Sequence, residues 1–420
     1  MSIKSCTKFS IKTPSCMNKE VLYKRLDKII VFFIMLHMAS LSFSIALASI
    51  SFGTWTVLWI FKIISKKQPP FTENEFREIR LITAFLLLYL LLEFLSRTFA
   101  VIPEGAYSGF KRLILVLVFF GAISNFKNLS ELKNSIIAIA VIFALISIYE
   151  LIRFSISYIN RPPDKAMIDI RISYFAHPLT IAEIKMMVIL LILPLYSLKK
   201  GFRKNLLLTL ILLPIFISMV LTMSRNVYIA SFICILLYGI FLNRKFLVGF
   251  ILLSVIAFLL MPYQMKERVY SITDTQNNES NRSRIMMWKT GWQMIKDHPW
   301  LGIGDNEFMK VYSMYKKIEI TGEGSHLHNN FLMVLCVTGI FGFIGFVGFL
   351  TTVFLKQIKY FNAIKSSAEH LIIFGSILSF LAFNIAGLFE WDFGSWQVLS
   401  LFLFIISIPF IIFTNKLKTD

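Results

Sequence analysis

The sequence predicts an all-α fold, a polytopic membrane helix bundle of about twelve transmembrane helices, and three observations lead there. Apolar residues make up 56% of the 420 and charged residues only 16%, well below the roughly 25% charged of an ordinary globular chain. At about 20 apolar residues per crossing, that fraction supplies roughly a dozen spans. The charges also avoid the apolar runs and gather between them. A soluble enzyme, a secreted disulfide scaffold and a disordered chain are excluded.

The apolar runs place spans near 29–45, 47–63, 81–97, 113–125, 135–152, 178–197, 205–223, 226–242, 246–263, 329–355, 371–389 and 397–415. Ile29 to Phe61 is one unbroken run. A single helix of that length would be about 50 Å long, against a hydrocarbon core of about 30 Å, so it reads as a tight hairpin of two short helices. The short run at 113–125 gains length through Gly109 and Phe110, with Lys111 and Arg112 snorkelling. Glu93, Glu150, Glu183 and Lys185 are the charges inside the spans. They are expected near helix ends, where snorkelling or solvation suffices.

Net charge is +19. Nucleic acid is not the implied partner, because the basic residues sit in short segments flanking the spans, as orientation signals do. Lys19, Lys24 and Arg25, then the cluster Lys199, Lys200, Arg203 and Lys204, then Arg244 with Lys245, Lys356 with Lys359, and Lys416 with Lys418 fall on one side only if the span count is even. Both termini are therefore expected in the cytoplasm. The organisation follows: a cytoplasmic arm at 1–28, nine spans over 29–263, a large outer loop at 264–328, three spans over 329–415 and a short tail at 416–420. Cys6 and Cys16 lie in the polar arm and Cys234 and Cys336 in apolar runs, with no disulfide or CxxC metal spacing.

Two outer segments are too long to be turns, 153–177 and 264–328. In the second, Ser283 to Lys296 reads as an amphipathic helix. Ile285, Trp288, Trp292 and Ile295 are spaced along one face, opposite Lys289 and Lys296. Its plainest placement is flat on the bilayer surface with Trp at headgroup depth. It stops at His298-Pro299, and Gly302-Ile303-Gly304 follows as a turn.

Polar groups at the outer edge without a topological role are the candidate site residues. Arg225 sits in Thr222-Met223-Ser224-Arg225-Asn226, a tight outer connection between two spans. It either snorkels to headgroup phosphate or aims a fixed guanidinium at a lipid-linked phosphate. Arg284 lies at the start of the amphipathic helix, where free N–H groups suit anion capture; the alternative is a solvated surface side chain. Arg282, two residues earlier, cannot share its face. His326 and His328 flank one Leu at a membrane boundary, and imidazole accepts a proton near neutral pH. With no matched carboxylate or Cys set, two His do not argue for metal, and Asp305-Asn306-Glu307 is not positioned against them by the sequence.

The chain resembles the O-antigen ligase and O-antigen polymerase superfamily of bacterial envelope glycosyltransferases. The resemblance rests on His328-Asn329, nine residues, then Gly339 and Gly342, on Arg284 to Trp288, on His298-Pro299-Trp300-Leu301-Gly302-Ile303-Gly304, and on Ser224-Arg225. It covers about 220–345, and the span layout with a large late loop extends it.

What the resemblance implies is O-antigen ligase activity. Polysaccharide moves from undecaprenyl diphosphate to lipid A-core at the periplasmic face of a Gram-negative inner membrane, without metal or cofactor and with inversion. A diphosphate is already a good leaving group, so the two carboxyl groups of glycoside hydrolysis are not needed. The reaction needs cations for the leaving phosphate and a base for the acceptor hydroxyl. Arg225 and Arg284 are expected to be the clamp and His328 the base, with His326 open as the alternative base and Arg282 and Asn329 as secondary candidates. The Trp-bearing helix would be a lid that excludes water. An O-antigen polymerase is the nearest rival, kept open by Arg153, Arg161 and Arg171 in the 153–177 segment. A protein O-glycosylation enzyme is disfavoured for want of an added C-terminal domain. A lipid-linked saccharide transporter is the reading from a different class.

Overall fold

The computed structural model describes residues 14–67, 69–104, 108–162, 167–198, 201–316, 326–365 and 368–417. Among these the chain is helical throughout, with no strand. In order the helices are α1 (Pro14–Ser40), α2 (Ile45–Lys66), α3 (Glu73–Thr98), α4 (Val116–Asn125), α5 (Leu129–Ile159), α6 (Pro178–Ile192), α7 (Phe202–Val220), α8 (Arg225–Leu242), α9 (Arg244–Leu260), α10 (Tyr263–Tyr270), α11 (Glu279–Asp297), α12 (Phe308–Tyr315), α13 (Asn330–Ala363), α14 (Ala368–Ala386) and α15 (Trp396–Lys416). Short 3₁₀ turns precede α4 and α15, extend α6, and occupy Met167–Ile170.

Each expected span coincides with one helix. Nine of the described helices are long and apolar enough to cross a membrane, and the protein is a multi-pass membrane protein. The other three are α1, charged through its first half, and the shorter α4 and α9. The Ile29–Phe61 run is indeed broken, at residues 41–44, but its helices are long rather than short. α1 begins at Pro14, inside the expected polar arm. Residues 1–13, Lys199, Lys200 and Lys418 lie outside the described residues, as do Gly324 and Ser325 just before the His pair.

Helix starts follow local chemistry. Ser44 accepts from Leu47 N–H to cap α2, and Thr72 with Glu75 forms a reciprocal capping box on α3. Asn128, Asn243, Asn278, Asn329 and Ser395 cap α5, α9, α11, α13 and α15 in the same way. The core is built around α6, α14 and α15, almost wholly buried, whereas α9 buries none of its residues and stands at the periphery.

The span charges depart from expectation. Glu150 and Lys185 are fully buried and paired with each other, with Ser218 donating to Glu150 at 2.8 Å. They staple α5, α6 and α7 together inside the bundle, where neither solvation nor snorkelling reaches them. Glu93 is likewise buried, 2.9 Å from Arg97 one turn on. A charge in a low-dielectric interior is tolerated when a partner of opposite sign faces it, and the sequence did not reveal those partners.

Candidate active site

One end of the bundle gathers the starts of α6, α8 and α13, the end of α3, the α14–α15 connection and helices α10 to α12. The amphipathic helix is longer than expected and uses another face. Met287, Thr290, Gly291, Met294 and Ile295 are buried, while Trp292 is exposed. It packs on α12 and α13, with Met294 in an apolar cluster that includes Ile303, Val311, Leu327, Met333 and Val337. The expected stripe through Trp292 fails because these protein partners, rather than a bilayer surface, set the buried side.

That helix seats the His segment. Leu327 is fully buried against Gly291, where any Cβ would collide with it. Trp288 Nε1 donates to the Leu327 carbonyl at 2.8 Å. With the middle side chain turned inward, its neighbours turn together toward Glu390. His326 Nε2 and His328 Nδ1 each lie 2.9 Å from Glu390 Oε1, with ring centroids 4.1 Å apart. The Trp391 backbone N–H donates to the same oxygen at 3.1 Å, and Arg284 Nη2 stands 3.6 Å from Glu390 Oε2. Burial alone would raise the Glu390 carboxyl. The bonds and charge of His326 and His328 outweigh burial and hold it well below the usual carboxylate range. Both rings meet Oε1. His328 faces it with Nδ1, which leaves Nε2, the far ring nitrogen, pointing away from the carboxylate, while His326 uses its own far nitrogen on Glu390.

Arg225 opens α8. Its guanidinium donates to Ser271 O at 2.8 Å, Ser271 Oγ at 3.1 Å and Ser280 Oγ at 3.2 Å, bracing the stretch between α10 and α11. Arg225 and Arg284 line one cleft of about 170 Å³, with Asn226, Asn281, Trp288 and Phe389. An apolar cavity of about 290 Å³ lies among α7, α8, α9 and α10, bordered by Met219, Met223, Tyr228, Phe232, Phe250 and Met265. The two share no lining residue but follow each other along the chain, where Met223 and Tyr228 of the cavity flank Arg225 and Asn226 of the cleft. Both turns presenting candidate residues hold a non-glycine residue in the left-handed region, Met223 at φ 57° and His328 at φ 46°, each at a cost of about 1–3 kcal/mol.

The remaining motif residues hold the frame. α13 breaks at Gly339 (φ 64°), which leaves carbonyls of the preceding turn unpaired within the helix. Ile303 N–H bonds Cys336 O at 3.0 Å, Gly304 N–H bonds Val337 O at 3.1 Å, and Ile340 N–H returns to Pro299 O at 2.8 Å. A Cβ on Gly339 would strike the Trp300 backbone. The 299–306 strap across this break is tied to α3 by Arg97, 2.7 Å from Asp305, and by Asn306 donating to Arg97 O at 3.0 Å, and to the 3₁₀ turn before α4 by Arg112 on the same carboxylate. The Asp305-Asn306-Glu307 run thus serves the frame and does not meet the His pair.

Of the secondary candidates, Asn329 caps α13 by accepting Leu332 N–H at 2.9 Å and donates to Leu388 O at 2.9 Å. Arg282 is exposed and is not part of the cleft's lining. Sequence reasoning missed Glu390, and with it Asp392 and Glu183 beneath. The signal was present: two carboxylates in the short connection between the last two spans, where cations and imidazoles alone drew a functional reading. Asp392 is 1% exposed. Burial first, then the charge of Glu390, raise its carboxyl to about 8, against the lowering effect of the neighbouring Glu183. The 167–177 stretch borders the same region: Ile172 N–H bonds Leu221 O at 3.1 Å, and His177 is within electrostatic reach of Glu390.

Could this cluster hold a metal? Among the described residues, His326, His328 and Glu390 bring three ligand-type atoms within 4.8 Å of one another. Both imidazoles point at one carboxylate oxygen, however, and Arg284 faces the other, which is the layout of a charge-stabilised base in a cationic pocket. Chemically the arrangement can bind a phosphate-bearing amphiphile, headgroup at the arginines and chain in the apolar cavity, and can remove a proton beside it.

Residues 207–347, from α7 into the middle of α13, match the family model described as O-antigen ligase. No curated protein matches the chain.

Proposed function

We propose that the chain is an O-antigen ligase of the O-antigen ligase/polymerase superfamily, whose family model matches residues 207–347 and whose members transfer glycosyl groups from lipid-linked saccharides. It moves O-antigen polysaccharide from undecaprenyl diphosphate to lipid A-core on the periplasmic side of the inner membrane. The observation that carries this reading is one shared site: Arg225 and Arg284 line a single cleft, and Arg284 and His328 both meet Glu390. The apolar cavity next to it along the chain supports a lipid-linked donor.

In this mechanism the two guanidiniums receive the charge that develops on the departing diphosphate. His328 Nε2 takes the proton of the acceptor hydroxyl as its oxygen bonds to the anomeric carbon, while the bond from that carbon to the diphosphate oxygen breaks on the opposite face and the anomeric configuration inverts. Glu390 holds the imidazole by Nδ1 and stabilises the imidazolium that forms. His328 is favoured over His326 as base because its far nitrogen is the one left open. No step requires a metal.

A ligase is favoured over a polymerase by the single long loop that supplies α10 to α12 to the site. The test is lipopolysaccharide profiling of a strain lacking the protein. Loss of the whole O-antigen ladder with lipid-linked polymer accumulating supports ligase; a single-repeat band on the core indicates polymerase. In reconstituted membranes, His328→Ala should abolish transfer while donor binding persists, and near-normal transfer would overturn the base assignment.

A further inference from the structure

Directly under the site, a buried polar chain crosses from α8 to α13. Asn226, the residue after Arg225, donates from Nδ2 to Glu183 Oε1 at 3.0 Å. Glu183, on the first turns of α6, lies close enough to Asp392 for each carboxyl to act electrostatically on the other. The Asp392 and Phe393 backbone N–H groups donate to Asn330 Oδ1 at 2.8 and 3.3 Å, and Asn330 N–H bonds Gly387 O at 2.7 Å. Glu183, Asn226, Asn330 and Asp392 are 3%, 4%, 0% and 1% exposed. Three links abut site residues: Asn226 follows Arg225, Asp392 lies two after Glu390, and Asn330 two after His328.

The chain has one chemical gap. Both Asp392 oxygens are buried with no hydrogen-bond partner, Glu183 is the neighbouring carboxyl, and two carboxyl groups so placed and so buried cannot both be ionised. We propose that Glu183 and Asp392 share one proton and form the positioning pair that fixes Arg225 relative to Glu390 and His328. The proposal rests on the transferase reading for its consequence, whereas the shared proton rests on the buried, unpartnered Asp392 oxygens and the carboxyl beside them. The titratable groups facing the pair are Glu390 in the same connection, through it His326, His328 and Arg284, and His177 at the start of α6; α8 and α13 contribute the neutral Asn226 and Asn330. A group whose carboxyl is raised on folding holds the structure best at low pH. Its contribution is full below the ordinary carboxylate range, falls as pH rises from there and is gone by about 8, when a second charge has appeared and the pair repels.

The experiment uses the full chain in nanodiscs, as wild type, Glu183→Gln, Glu183→Ala and Asp392→Asn. Gln supplies an amide donor in place of the shared proton. Expected are near-wild-type turnover for Glu183→Gln and Asp392→Asn and a drop of about 10²-fold in kcat for Glu183→Ala, the scale of a misplaced site. The second readout is Tm against pH, which needs no activity: wild type should lose stability as pH rises from the ordinary carboxylate range toward about 8 and level off above it, and Glu183→Gln should not show this loss. Equal damage from Gln and Ala, or an unchanged pH profile in Glu183→Gln, overturns the proposal. If wild type lacks transferase activity while the Tm profiles behave as described, the transferase reading fails and the proton-sharing pair survives.

Discussion

Replacing Glu390 by Gln keeps a hydrogen-bond acceptor in place and removes one charge. The effect follows from what that charge faces. In the proposed mechanism His328 becomes an imidazolium in the transition state, with its Nδ1 2.9 Å from Glu390 Oε1, so ring and carboxylate charges lie about 4 Å apart, worth about 4 kcal/mol at an effective dielectric of about 20. At about 1.36 kcal/mol per decade, kcat should fall about 10³-fold. The amide can also turn its NH₂ toward His328 and force the proton onto Nε2, which would remove the base altogether. The same exchange of carboxylate for amide in the serine-protease triad lowers kcat by about 10⁴-fold. Donor affinity should change far less, since Arg225 does not touch Glu390 and Arg284 stands 3.6 Å from it. The assay is steady-state transfer in reconstituted membranes with purified lipid-linked donor and lipid A-core, kcat and KM being separated, and with Tm confirming a folded variant. A folded Glu390→Gln within a few-fold of wild-type kcat would refute the reasoning.

Arg225→Ala and Arg284→Ala should each lower kcat by about 10²–10³-fold, and Lys at either position should restore only part, because a point charge cannot reproduce the guanidinium fork; kinetics on the four variants decide. Gly339→Ala forces a Cβ into a left-handed residue, at about 1–2 kcal/mol, and into the Trp300 backbone. It should lower Tm and raise amide exchange at residues 299–306, and unchanged exchange there would separate the strap from the helix break. Lys185→Met strands the buried Glu150 charge and should destabilise by about 3–5 kcal/mol, whereas adding Glu150→Gln should recover much of the loss; a double variant no more stable than the single would show that the pair itself holds the helices.

The spans were legible because a bilayer demands long apolar runs, and each expected run falls on a helix. Arg225 and Arg284, singled out from a tight connection between spans and from a helix start, line one cleft. What the sequence did not convey was pairing. Glu150 and Lys185 are 35 residues apart and Arg97 and Asp305 are 208 apart, so nothing local marks them as partners. Glu390 is 62 residues from His328, and a carboxylate in a short connection looks like ordinary solvated polarity until the chain tucks it under. The amphipathic face was misread for a related reason. Trp288 and Trp292 suggested an interface, but the side that buries is chosen by the partner surface, here Leu327 and the α12–α13 wall.

Leu327 is where that packing meets the chemistry. Histidine two residues from histidine is useful only if both rings reach one carboxylate, and nothing in either imidazole enforces this. The enforcement comes from the apolar residue between them, which is 0% exposed, fits over Gly291 and has its carbonyl held by Trp288. Leu327→Ala leaves every polar site group intact and removes only the pin, at about 2–5 kcal/mol for a buried Leu. If the pin sets the ring positions, kcat should fall by about 10²-fold, as for a misplacement on the order of 1 Å, while donor KM stays near wild type because the arginines sit on other elements. Leu327→Met, which refills the volume, should recover most of the turnover. Equal turnover in Leu327→Ala and wild type would mean that Glu390 alone orders the two rings, and that the apolar residue between them is dispensable.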